Sequence, residues 1–343
     1  MGIIVLSIAI LPMLGIGGMQ LFVAEVPGPT PDKLHPRIKE TAKRLWVIYI
    51  MFTLAETILL KIGGMTWFDA VNHSFTTMAT GGYSTKQASI AYFESPFIHY
   101  VITIFMFLAG TNFTLSYFAL HFKFGKVFKN EEFRYYLGFV LLFTFAIAIV
   151  LWHVDGFSIE QSLRDSAFQV VSIITTTGYA TADYIQWSPF VVVIVFALMF
   201  FGGSAGSTGG SIKIVRITLL LKNSYQELKR IIHPNAIIPV RINGKSVPPQ
   251  IISNILAFVV FYMLITIAST VVISALGYDL DTSLGAVAAT LGNIGPGIGR
   301  VGPVENYAHI PTFGKWFLSF LMLIGRLELF TVIVLFSPSF WKK

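Results

Sequence analysis

Charge-free apolar runs alternate with short stretches of threonine and glycine, and that alternation limits what this chain can fold into. Tyr135 to Trp152 and Ile251 to Leu276 carry no charged residue, and each is long enough to cross the ~30 Å hydrocarbon core of a bilayer. Beside one such run stands Ile174-Thr175-Thr176-Thr177-Gly178-Tyr179. A related stretch, Thr76-Thr77-Met78-Ala79-Thr80-Gly81-Gly82-Tyr83, comes earlier, and Ala289-Thr290-Leu291-Gly292-Asn293-Ile294-Gly295-Pro296 comes later. Backbone that leaves a helix at membrane depth survives only where it is packed in protein or lines a cavity. Carbonyls freed in this way can take the place of water around a metal cation. One such stretch reads as a turn; recurrence in the same place relative to the spans points to an ion pore.

Composition supports a membrane protein. Of 343 residues, 55% are hydrophobic and 12% charged, about half the charged share of a soluble domain. The mean hydropathy is +0.72. No cysteine is present, which excludes disulfides, thiolate metal sites and cysteine nucleophiles. The net charge is +7, and Lys and Arg cluster in Lys33–Arg44, Lys123–Arg134, Lys213–Lys245 and the final lysines. Loops flanking the Thr/Gly stretches carry Asp69, Glu94, Asp155, Glu160, Asp165, Asp183, Asp279, Asp281 and Glu305. That segregation places the basic loops in the cytoplasm and the Thr/Gly loops toward the outside; it does not indicate a nucleic-acid partner.

Taken in order, the chain repeats one unit: span, half-length helix, loop, span. The first apolar run, Met1 to about Val23, reads as a span. Trp46–Leu60, a half-helix from Thr66 and Pro96–Leu120 make one complete unit. Tyr135–Trp152, Ser158–Ile174 and the run from Pro189 make the next, and Ile251–Leu276, Thr282–Leu291 and Trp316–Phe336 the last. The half-helices hold Asp69, His73, Gln169 and Ser172 and are too short and polar to cross alone, so they read as re-entrant. The expected fold is an all-α membrane protein of repeated span–re-entrant helix–loop–span units around a pseudo-fourfold pore. The divisions are 1–24, the last helix of an incomplete first unit; 25–122, a second unit; 123–232, a third; and 233–343, a fourth. A closed ring needs a further span, half-helix and loop upstream of Met1, so the chain is expected to be missing its first filter quarter.

A cation filter needs several oxygens in a ring, and glycine permits the backbone dihedrals that present them. The partially negative C-terminus of each half-helix favours a cation at the loop it feeds. Gly81, Gly178 and Gly295 align as the candidate glycines, preceded by Thr80, Thr177 and Ile294; Thr176 and Asn293 complete the filter set. The carbonyls of Thr80, Gly81, Thr177, Gly178, Ile294 and Gly295 are the expected ion ligands. On the cytoplasmic side, Gly202 to Ser211 holds five glycines, Gly202, Gly203, Gly206, Gly209 and Gly210, together with Ser204. Each glycine costs a helix about 1 kcal/mol relative to alanine, so a helix running from Pro189 to Leu221 should unwind here and obstruct a pore below the filter. A packing break with small residues at a helix crossing is the other reading.

These residues resemble the Trk/Ktr/HKT superfamily of cation transporters, most closely the membrane subunits of bacterial potassium uptake systems. The resemblance spans the chain and rests on Ala79–Thr85, Thr175–Thr181, Asn293–Gly297 and Gly202–Arg216. It implies four units around one pore, each loop supplying a quarter of the filter, with Met1-Gly2-Ile3 resembling the start of the last helix of the first unit. It further implies potassium as transported substrate, no cofactor, a gate at Gly202–Ser211, and Arg326 at the constriction beside it. The expected assembly is a homodimer in the bacterial inner membrane, surrounded by lipid, with a cytosolic TrkA-like nucleotide-binding regulatory subunit on the basic loops. One glycine per loop suggests fewer sites and looser discrimination than stacked filters, leaving a sodium-permeable relative or a non-conducting fragment as alternatives.

Charged residues at membrane depth mark function or pairing. Arg326 and Glu328, two residues apart, do not share a helix face and should have separate partners. Glu56 and Asn112 read as structural. Gly202-Gly203-Ser204-Ala205-Gly206 fits the G-x-S-x-G elbow of serine hydrolases without a strand before it or an acid nearby. Gly297–Gly302 fits G-x-G-x-x-G without a strand–turn–helix setting. No enzyme is expected.

Overall fold

The computed structural model describes residues 38–236 and 238–341. The chain runs through α1 (Ile38–Ile62), α2 (Trp67–Met78), α3 (Pro96–Ala109), α4 (Phe113–Leu120), α5 (Phe124–Lys129), α6 (Glu131–His153), α7 (Ile159–Ile174), α8 (Pro189–Leu198) and α9 (Ile214–Ile232). A small antiparallel hairpin, β1 (Arg241–Ile242) and β2 (Lys245–Ser246), leads to α10 (Pro249–Ser274), α11 (Leu280–Gly292), α12 (Thr312–Arg326) and α13 (Phe330–Ile333). The expected leading span, residues 1–24, lies outside the described residues.

The half-helices α2, α7 and α11 start in the same way. Thr66, Ser158 and Asp279 are extended N-cap residues whose side chains accept from the backbone N–H of Asp69, Gln161 and Thr282. Such a cap contributes about 1 kcal/mol, enough to place the start of a short helix sharply. The Thr66 hydroxyl also donates to Asp69 at 2.8 Å. Each half-helix packs on the span before it: α2 on α1, α7 on α6 and α11 on α10.

α1, α6 and α10 are long and apolar enough to cross a membrane. Their outer faces carry exposed Leu54, Ile58, Leu141, Leu142, Leu264 and Ile267, which suits lipid and would be an aggregation surface in water.

The return spans differ from expectation. Pro96–Leu120 is not one helix: α3 and α4 meet at 112° across Gly110-Thr111-Asn112. Trp316–Phe336 is likewise bent by 112° after Arg326. The third return span unwinds between Leu198 and Ile214, a wider interval than Gly202–Ser211. Breaks therefore recur in all of them. At the first, the Asn112 side chain accepts from Thr114 N–H at 2.8 Å and restarts the helix as its N-cap, which gives the expected structural role of Asn112 a local cause.

Candidate functional site

The three Thr/Gly loops meet. A cavity of about 540 Å³ is lined by Thr80, Gly81 and Gly82, by Thr176, Thr177 and Gly178, and by Asn293, Ile294 and Gly295. One wall is completed by Leu318, Ser319, Met322 and Arg326 from α12. The half-helices end at this cavity, so their partially negative termini point toward it.

The loops share a backbone path. Thr80, Thr176 and Asn293 are left-handed, at φ of 50°, 58° and 56°. Their N–H groups bond back to Thr77, Ile173 and Thr290 at 2.9, 2.9 and 3.1 Å. The next residues, Gly81, Thr177 and Ile294, donate to Thr76, Ser172 and Ala289 at 2.7, 2.9 and 2.9 Å. Then come Gly82, Gly178 and Gly295, with φ of 63°, 83° and 116°. Each loop thus folds onto the end of its own half-helix, satisfying its N–H groups there and leaving carbonyl oxygens for the cavity.

This register corrects the alignment drawn from sequence. Gly178 and Gly295 hold the equivalent position, but their partner in the first of these loops is Gly82; Gly81 corresponds to Thr177 and Ile294, and Thr80 to Thr176 and Asn293. The reason is that Thr80 itself takes the left-handed turn, which moves the required glycine one place on. The pairs Gly82-Tyr83 and Gly178-Tyr179 carried the signal. Position then explains the residue type. A β-carbon on Gly82 would overlap the Thr177 carbonyl oxygen, and one on Gly178 would overlap the Ile294 carbonyl oxygen. The second and third loops thus each set a carbonyl against the glycine of the loop before, so the three follow one another around the cavity. At Gly81 a β-carbon would meet only the Tyr83 ring, at 3.4 Å.

Behind the loops, hydroxyls fix the backbone. The Thr76 hydroxyl donates to Tyr83 O at 2.8 Å, and the Ser172 hydroxyl to Tyr179 O at 2.7 Å. In the third loop Ala289 stands at that place and Tyr307 donates to Gly295 O at 3.0 Å from outside. Near the outer end, Thr85 donates to Asp69 at 2.5 Å. That hydrogen bond holds the Asp69 carboxyl below the usual carboxylate range against the opposing effect of burial.

The Gly202–Ser211 segment lies against the same place from the other side. Gly210 N–H donates to the Thr176 hydroxyl at 2.6 Å, and Ser211 N–H to Gly292 O at 3.1 Å. Ser204 N–H bonds Gly110 O at 2.9 Å, where the first return span breaks, and Gly206 rests on the Asn112 amide. Charged side chains hold the rest. Arg326 donates to Thr208 O at 3.1 Å while lining the cavity; Lys213, buried, donates to Gly209 O; and Glu132, also buried, accepts from Ala205 N–H at 2.6 Å. Gly209 and Gly203 face each other within the segment. Arg326 and Glu328 do have separate partners, since Glu328 pairs with Arg216 at 2.5 Å and the Arg216 guanidinium lies 3.9 Å over the Phe258 ring.

Sequence reasoning missed Gly82, Lys213, Glu132 and the Gly110–Asn112 break. The break had a signal, a small polar triplet inside an apolar run; Lys213 and Glu132 had none, because their partners are distant in the chain. The hydrolase motif gains nothing from the fold: Ser204 is buried and its hydroxyl has no hydrogen-bond partner among the described residues, so no base is positioned on it.

Comparison with known proteins agrees with this geometry. A family model described as TrkH, cation transport protein, matches residues 1–343. The chain is 44% identical over 346 residues to the Trk system potassium uptake protein TrkH of Salmonella typhimurium, covering 100% of this chain and 71% of that protein. It is 36% identical over 344 residues to TrkG of Escherichia coli, covering 100% of this chain and 70% of that one. Its fold matches the crystal structure of the potassium transporter TrkH from Vibrio parahaemolyticus with a TM-score of 0.84 at 38% identity, over 99% of this chain and 70% of the other. The relatives are membrane transport proteins, not enzymes. With its repeated re-entrant helices, glycine-centred loops and whole-chain match, this all-α membrane protein belongs to the TrkH family of cation transport proteins.

Proposed function

We propose that the protein carries potassium across the bacterial inner membrane by a channel-like route, with the three loops forming a selectivity filter. The observation that carries this reading is the single cavity lined by three loops of one backbone register. A potassium ion entering from outside exchanges its water for carbonyl oxygens, which cost no reorganisation because each loop is already bonded to its own half-helix. On this reading the ligands come from Gly81, Gly82, Thr177, Gly178, Ile294 and Gly295. The sequence-based set had Thr80 in place of Gly82; Thr80, Thr176 and Asn293 supply the turn that aims the carbonyls. Residues 25–122, 123–232 and 233–343 each contribute one quarter. The ion moves inward down its gradient, and an inside-negative potential supplies about 2.3 kcal/mol per charge per 100 mV. No covalent chemistry takes place.

Below the filter, Gly202–Ser211 acts as the gate. Its bonds to Thr176, Gly292 and Arg326 support this role, because a segment held by exchangeable contacts under the filter can block or release the path. Arg326 places a fixed positive charge at the same constriction. The relatives' designation as Trk system proteins supports a cytosolic TrkA-like regulatory partner, for which the basic loops are the docking face. The proposed assembly is a homodimer embedded in lipid, to which the exposed apolar faces of α1, α6 and α10 are suited.

Potassium and sodium flux measured on the protein in proteoliposomes tests the reading. Uptake of potassium that a Gly178→Ser change depresses is the expected result; potassium flux indifferent to that change overturns the filter assignment. The single left-handed glycine in each loop also favours a second reading, permeation by sodium as well, and equal fluxes of the two ions would establish it.

A further inference from the structure

A filter discriminates among cations only if its carbonyls keep their spacing, and spacing between loops cannot be set by bonds within a loop. The third unit supplies the links. Two of its tyrosines, Tyr179 and Tyr184, are fully buried, and each reaches a different neighbouring loop.

Tyr179 turns away from its own loop and inserts behind α2. Its ring lies 5.8 Å from that of His73, and its hydroxyl is 2.5 Å from the Thr76 hydroxyl. Thr76 in turn is 2.8 Å from Tyr83 O. A hydroxyl has one proton to donate. Tyr179 also has His73 O at 3.2 Å and Tyr83 O at 3.4 Å in reach, and Thr76 has Asn72 O at 3.0 Å and His73 O at 3.2 Å. The shortest contacts, however, form a relay in which Tyr179 donates to Thr76 and Thr76 donates to the Tyr83 carbonyl. That carbonyl belongs to the residue immediately after Gly82. In the other direction, Tyr184 donates to Gly297 O at 2.7 Å, two residues past Gly295 in the following loop. The Asn293 loop returns no such link, because Pro296 stands where Tyr83 and Tyr179 stand.

We propose that Tyr179 and Tyr184 are positioning residues that set the distance between neighbouring filter loops, and so the protein's discrimination between potassium and sodium. The proposal rests on reading the loops as a filter. Neither hydroxyl lines the cavity, so the effect is exerted through the carbonyls: without a brace, a loop relaxes toward the smaller ion, and the cost of fitting sodium falls. Thr76 is part of the first brace, and its removal should have the same consequence as removal of the Tyr179 hydroxyl.

Tyr179→Phe, Tyr184→Phe, Thr76→Val and the Tyr179→Phe/Thr76→Val pair, compared with the parent in proteoliposomes for potassium and sodium flux, test this. Each single change is expected to lower the potassium-to-sodium ratio about threefold to tenfold, the range that one ordinary hydrogen bond corresponds to. The maximal potassium rate should stay near that of the parent, and the pair should do no worse than either member, since both cut the same relay. Thermal unfolding in detergent separates this from general destabilisation, and if a Phe variant fails to fold, Thr76→Val decides. A parent that conducts, with variants of unchanged ratio, overturns the braces and leaves the filter standing. A parent that passes no cation overturns the filter reading and the braces with it.

Discussion

The three Thr/Gly loops and the Gly202–Ser211 segment are alike in composition and opposite in how their backbone is satisfied. Both are glycine-rich and non-helical and lie at membrane depth, where an unpaired backbone group facing lipid costs several kcal/mol. The loops meet that demand locally: Thr80, Gly81, Thr176, Thr177 and Ile294 all donate to the last turn of their own half-helix. The segment meets it at a distance, through Gly110, Thr176, Gly292, Glu132 and Arg326. A loop closed on itself keeps its shape when its surroundings shift and leaves its carbonyls free. A segment tied to five other elements changes when any of them moves, and water can take over its bonds. The difference teaches that glycine content alone does not set how a segment is held; on the proposed reading, what would separate a rigid ligand from a movable plug is where the N–H groups go.

The strongest way to break this comparison is to place a side chain where two loops touch. Gly82→Ser and Gly178→Ser would each push a β-carbon into the next loop's carbonyl and hold a left-handed backbone without glycine. Strain at such a position is worth about 1–3 kcal/mol, so potassium uptake should fall by about fivefold or more while membrane insertion, followed by surface labelling, persists. Retained uptake in both variants would remove the contact between loops from the account.

A smaller effect of opposite sign is expected at the segment. Shortening Gly202–Ser211, or replacing Arg326 by Gln so that the charge over Thr208 O is lost, should raise basal flux a few-fold, in line with the about 1 kcal/mol by which a charge-assisted hydrogen bond exceeds a neutral one. Rubidium efflux without any regulator reads this directly; flux that is unaltered in both would mean that the segment does not obstruct the path.

The smallest effect sharpens the register. Gly81→Ala meets only the Tyr83 ring and needs no left-handed dihedral, so uptake should change by less than about twofold, the size of an ordinary surface substitution. A loss at Gly81 as large as at Gly82 would restore the alignment drawn from sequence.

Much of the architecture was legible before any coordinates. Hydropathy and charge are local properties, so they located α1, α6 and α10, the re-entrant helices and the loops. The N-cap residues Thr66, Ser158 and Asp279 are visible as letters, and so is the run of glycines after Phe201. Other features were only half visible. The Gly-Tyr pairs contained the true register, but the first glycine of Gly81-Gly82 was a plausible partner until Thr80 was seen to take the left-handed turn. Pro96–Leu120 reads as one apolar span because a break of three small residues barely changes its mean hydropathy.

By itself, then, the sequence determined that this is a membrane protein of repeated units, where the first two half-helices begin, and which short stretches cannot remain helical. Those outcomes follow from how each residue partitions between water and lipid and from its own backbone preferences. Only the tertiary structure decided that the three loops share a cavity, that Gly82 is the glycine abutted by a neighbouring carbonyl, and that Arg326, Lys213 and Glu132 all grip one segment. Those facts depend on atoms brought together from far apart in the chain, and no local preference encodes a distance between two loops.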